Sequence, residues 1–184
     1  MKKSVNFKFC IVVLLVCFAV SCQVVFDVPI FSAKDSKIDK RLLGKWRSDE
    51  PNAKSGVVEI LKKSDAEIEI IAPDDETGAP TVVFRAFVGK LGNADYLNLW
   101  SPKETEKGFL IARYEIQNEY LTIRILDDEK IKEALKKNQL KGYAKPGTIG
   151  DVIIDDSAKN VKNFLKSPLN DEIFEPAIKL KKAE

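Results

Sequence analysis

Residues 109–126 read FLIARYEIQNEYLTIRIL, and the fold class follows from this stretch. On each side of the pair Asn118-Glu119, an apolar side chain recurs at every second position: Leu110, Ala112, Tyr114 and Ile116, then Leu121, Ile123 and Ile125. Successive side chains of a strand point to opposite faces, so a period of two is what a strand with one buried face produces. A two-residue break reverses the chain into an antiparallel neighbour, whereas a parallel neighbour needs a crossover of a dozen residues or more.

Working upstream, the same texture recurs in Leu42 to Ser48, Val57 to Lys62, Glu67 to Ile71, Thr81 to Lys90 and Tyr96 to Trp100. Turn-forming residues separate these runs, at Asp74 to Pro80, Gly92-Asn93 and Ser101-Pro102. Downstream the period changes. Asp127 to Leu140 places Ile131, Ala134 and Leu135 on one helical face, with Gly142 and Pro146 as stops. A second helix is expected over Ser157 to Lys166, turning Ala158, Val161 and Leu165 inward, with Pro168 beyond its end. Val152 to Ile154 and Ile178 to Lys181 read as closing strands. The expected class is mainly β: an antiparallel meander, open or closed into a barrel, with two helices near the C-terminus.

The N-terminus has a different character. Met1 to Lys8 carries three lysines and no acid, and Phe9 to Val20 is an unbroken apolar run of twelve residues. That is the layout of an export signal. As a helix the run rises about 18 Å against a hydrocarbon core of about 30 Å, too short to span. Ala19-Val20-Ser21-Cys22 resembles the lipobox of bacterial prolipoproteins, although the family usually has leucine where Ala19 stands. The resemblance implies a signal peptide over residues 1–21, diacylglycerol on Cys22, a lipidated N-terminus and tether over 22–40, and a single β-rich domain over 41–184. Two other readings stay open. Ala19 and Ser21 also fit ordinary signal cleavage, which leaves Cys22 a free thiol. The apolar stretch can also continue through Val24, Val25 and Phe26 as an uncleaved anchor. Each reading puts the domain outside the cytoplasm. By analogy with enteric lipoproteins, Gln23 after the cysteine favours an outer membrane, facing the periplasm, where the cell has two membranes. Each buried CH₂ of an acyl chain contributes about 0.8 kcal/mol, so a two-chain anchor holds durably.

Composition narrows the chemistry. The 184-residue chain has 30 basic and 28 acidic side chains, and loss of residues 1–21 leaves 27 against 28, a balance of −1. Nucleic-acid binding and electrostatic membrane attachment of the folded part are therefore not expected. Cys10 and Cys17 lie in the signal, so the remaining chain has Cys22 alone and no disulfide. Histidine is absent, which excludes Ser-His-Asp and Cys-His nucleophiles, histidine-ligated zinc and c-type haem attachment. No catalytic residue, cofactor or metal site is expected.

Gly44-Lys45-Trp46 opens the strand-rich part and resembles the Gly-x-Trp motif of lipocalins, small antiparallel barrels around an apolar ligand. The resemblance implies a calycin-like barrel and an arginine from a late strand across Trp46, a role open to Arg113 or Arg124. On the residues alone, Trp46 also reads as a large core side chain closing one end of a sheet. Leu42 to Trp46 after a short tether, with Phe164 and Phe174 downstream, is similar to small bacterial lipoproteins of unassigned activity, and implies none. Asp127-Asp128-Glu129 and Asp155-Asp156 precede the two helices, where carboxylates cap free N–H groups. Asp74-Asp75-Glu76 reads as a solvated turn, Lys132, Lys136 and Lys137 as a solvated helix face, and Glu133 as a partner for Lys137. Tyr96, Asn98 and Trp100 share a strand face opposite Leu97 and Leu99, so that one set can line a cavity while the other packs, with a solvent-facing set the equal alternative. The function expected is non-enzymatic: a lipid-anchored cell-envelope protein holding a small apolar ligand in its barrel. The alternative is an interaction or structural lipoprotein engaging another envelope protein through its surface or a sheet edge.

Overall fold

The computed structural model describes residues 24–49, 56–73, 80–102, 108–144, 152–167 and 172–183. In chain order these form β1 (Val24–Phe26), a 3-10 turn (Lys40–Leu42), β2 (Gly44–Ser48), β3 (Val57–Lys62), β4 (Glu67–Pro73), β5 (Pro80–Leu91), β6 (Ala94–Trp100), β7 (Leu110–Gln117) and β8 (Tyr120–Ile125). Then follow α1 (Asp128–Lys136), β9 (Tyr143–Ala144), β10 (Val152–Ile154), α2 (Ala158–Lys166) and β11 (Ile178–Ala183).

Strands β2 to β8 pair in sequence order, and β11 closes the ring between β8 and β2, giving an eight-stranded antiparallel barrel. The closed, calycin-like form of the expected meander is the one observed. Full closure removes exposed sheet edges from these strands. The alternating apolar set points inward: Trp46, Ile60, Ile68, Ile70, Ala86, Leu97, Leu121 and Leu180 are all buried in one cluster.

A second cluster lies outside the barrel. The outer face of β5 to β7, including Leu91, Tyr96 and Ile111, is covered by Val24, Phe26, Ile30 and Phe31 together with Ile131, Val161, Phe164 and Phe174. Strand β6 is thus buried on both faces, with Leu97 and Leu99 inside and Tyr96 and Asn98 outside. Tyr96 and Asn98 therefore face neither a cavity nor solvent.

The N-terminal segment corrects the expectation of a tether over 22–40. From Val24 onward it is part of the fold: β1 runs parallel to β10, and Phe26 bridges Phe109 by two backbone hydrogen bonds. A three-residue strand ending near Pro29 shows no period, so its partner alone makes it a strand. The expected first strand also starts later. Leu42 belongs to the 3-10 turn, whose Arg41 N–H is capped by the Asp39 carboxylate, and Gly44 enters β2 at φ 121°, a left-handed value that favours glycine. Helix α1 stops at Lys136 rather than Leu140, because Asn138 takes φ 55° and Gln139 N–H donates to the Ala134 carbonyl.

Candidate functional site

The barrel has two unlike ends. At one lie the short connections β3–β4, β5–β6 and β7–β8, including Gly92-Asn93 and Asn118-Glu119; at the other lie the C-terminal ends of β2, β4 and β6, at Ser48, Pro73 and Trp100. The first end is plugged. Leu42 is fully buried beneath Trp46, whose Nε1 donates to the Leu42 carbonyl at 2.7 Å, and Ile38 and Leu43 pack beside them. The Tyr114 hydroxyl, inside the barrel, donates to Asp39 Oδ2 at 3.4 Å. Asp39 is also gripped by Arg41, whose hydrogen bonds hold its carboxyl below the usual range against the opposing effect of burial. Burial, then the nearby carboxylates of Asp39 and Asp95, push the Tyr114 hydroxyl far up, so it stays a donor.

The cation over Trp46 is Lys182 of β11, with Nζ 5.1 Å from the ring centroid and 3.4 Å from the Arg41 carbonyl. This corrects the expectation for Arg113 or Arg124. Register gives the reason: Lys182 lies directly opposite Trp46, whereas Arg113 and Arg124 sit opposite each other and point outward. The Arg113 guanidinium lies 6.0 Å from the Phe174 ring instead.

At the other end the inward set is less enclosed. Leu110, Ile123, Ile125 and Ile178 pack against the inner cluster yet are only partly buried. They lie toward that end on the adjacent strands β7, β8 and β11. Trp46, Ile68, Leu97 and Leu121 fill the interior, as expected of an eight-stranded barrel just wide enough for side chains or one small guest.

The remaining sequence candidates are accounted for by structure. Asp127 caps α1, accepting from Lys130 N–H at 3.1 Å, and Lys137 pairs with Glu133 at 3.7 Å. Lys132, expected to be solvated, instead pairs with Asp128 and Glu129 at 2.8 and 2.7 Å. The cap of α2 is Ser157 rather than the Asp155-Asp156 pair. Asp156 is buried and ties the β9 approach to α2, accepting from Lys141 N–H, Ser157 N–H and Asn160 Nδ2. Asn98, which carried no motif, is the more consequential side chain: fully buried, its Oδ1 accepts from the N–H groups of Ile30 and Phe31. A polar residue interrupting the apolar run Leu97 to Trp100 was the available signal. The lipobox residues, Cys22 and Asp74-Asp75-Glu76 lie outside the described residues. Among the described residues no cluster of three or more carboxylates is placed to hold a metal ion.

The structure defines a class, a closed antiparallel barrel with one plugged end and an α/β layer against its outer wall. No protein-family model matches the chain, and no curated protein or solved structure matches it either.

Proposed function

We propose that this chain is a lipid-anchored cell-envelope protein, tethered at Cys22, that takes a small apolar ligand at the mouth of its barrel and performs no catalysis. One observation carries the ligand reading: Leu110, Ile123, Ile125 and Ile178 are inward-facing apolar residues left partly exposed at one end, while the opposite end is sealed by Leu42 and Trp46. Apolar surface that is oriented inward and still reached by solvent is what a binding mouth requires. The filled lower barrel restricts the guest to a small or shallow one. The anchor reading rests on Ala19-Val20-Ser21-Cys22 and the apolar run before it.

The test is titration with the fluorescent apolar probe N-phenyl-1-naphthylamine. Saturable enhancement that Ile123→Asp abolishes, with the fold retained by circular dichroism, supports the site. Enhancement that is unsaturable or indifferent to Ile123→Asp overturns it. The alternative, an interaction lipoprotein, has in its favour the exposed Tyr143 on the short edge strand β9.

A further inference from the structure

The near-neutral composition conceals a segregation of charge. On the barrel wall left uncovered by the outer layer, the outward residues of β2, β11 and β8 include Lys45, Arg47, Lys179, Lys181 and Arg124. Beside these five cations the neighbouring strands carry Glu59, opposite Lys45, Glu115, opposite Thr122, and, one strand further from β2, Glu67 and Glu69 of β4, of which Glu69 pairs with Lys63 and Arg85. Register sets like charges side by side: Arg47 lies directly opposite Lys181, and Arg124 directly opposite Arg113. Directly opposed like charges destabilise a sheet. None of the five wall cations makes an ion pair with a described carboxylate. Further carboxylates gather at the cap Asp127 and at Asp128, Glu129 and Glu133 of α1, and at Asp155 and Asp156 before α2.

One further feature selects the occupant. Val57 and Leu61, on the outer face of β3 beside this wall, are exposed at 41% and 39%, so apolar side chains accompany the cations.

We propose that the outer wall formed by β2, β11 and β8 lies on the surface of an anionic phospholipid bilayer, with Lys45, Arg47, Lys179, Lys181 and Arg124 against the headgroups. Its location in the cell rests on the envelope reading above, but the wall's own attraction to anionic lipid does not need the acyl chains. Every residue of both cores lies between Val24 and Leu180, so a chain starting at residue 22 retains them all.

The experiment takes that chain with Cys22→Ser, free of lipid, and measures co-sedimentation with vesicles of phosphatidylglycerol in phosphatidylcholine and of phosphatidylcholine alone. Binding is expected only to the anionic vesicles and is lost in high salt. Each cation near such a surface contributes about fivefold in partitioning, so Arg47→Gln/Lys179→Gln/Lys181→Gln lowers it about a hundredfold. Lys136→Gln/Lys159→Gln/Lys166→Gln, on the helices, leaves it within about fivefold. Equal binding to neutral vesicles, no binding to anionic ones, or equal loss in the helix variant overturns the proposal. Mass spectrometry of acyl groups on wild-type Cys22 tests the anchor separately.

Discussion

Inside the barrel, Ile68, Ile70, Phe84, Ala86, Leu97 and Leu99 arrive two apart on consecutive strands, and neighbours in sequence are neighbours in the core. Outside it, Phe26 and Phe31 from the beginning of the described chain meet Ile131, Phe164 and Phe174 from its far half. The two cores share one wall, β5 to β7, and are assembled in opposite ways. The inner core is closed by local hairpins and one long-range strand, β11. The outer core holds only if both ends of the chain return to the same face. Local opening free energies vary across a structure, and the layer with fewer backbone ladders is the one expected to open first.

The largest effect is expected where the comparison can be broken from within. Trp46→Ala removes a fully buried ring from the sealed end of the barrel, at a cost of about 3–5 kcal/mol. Urea unfolding followed by circular dichroism should show one cooperative loss of both cores. A transition in which the helices outlast the strands would contradict the dependence of the outer layer on the wall it covers.

Gly89→Ala probes the outer layer alone. A Cβ at this position runs into the Phe31 ring, and displacing that buried ring should cost about 1–3 kcal/mol. Hydrogen exchange should rise across residues 24–37 while β3, β4 and β8 stay protected. Combining it with Phe31→Ala should cost less than the two changes added.

Asn98→Leu asks what fastens that segment. It leaves the buried N–H groups of Ile30 and Phe31 without their acceptor, a loss of about 1–3 kcal/mol. The readout is again faster exchange at residues 24–37, and unchanged exchange there would assign the docking to apolar contacts alone.

The smallest effect is the pH response of Asp156. Burial opposes its ionisation, but hydrogen bonds from Lys141 N–H, the Asn160 amide and Ser157 N–H outweigh it and hold the carboxyl below the ordinary value. A depressed folded value stabilises above the unfolded pKa, about 3.9, and that stabilisation disappears as pH falls through the folded value. Below about pH 4, exchange should accelerate at α2 and residues 140–144 before the barrel strands, and Asp156→Asn should flatten that dependence.

The inner core was legible in the sequence because the pleat converts a period of two directly into a buried face, as in Leu121, Ile123 and Ile125. The plug was half legible. Gly44-Lys45-Trp46 marked the sealed end, but the cation over the indole depended on which strand closes the ring, and β11 brings Lys182. The docked N-terminal segment was not legible, since Val24 to Phe31 has no period and becomes ordered only through β10, Phe109 and Asn98. The partial burial of Ile125 and Ile178 was not legible, because it follows from how the ring closes.

By itself the sequence determined an antiparallel, mainly β domain with two late helices and a chemistry without histidine. The tertiary structure alone decided the closed ring, the covering of Asn98, the place of Lys182 and the gathering of cations on one wall. The physical reason is range: periodicity reports which way a side chain faces on its own strand, whereas register between distant strands decides what it faces.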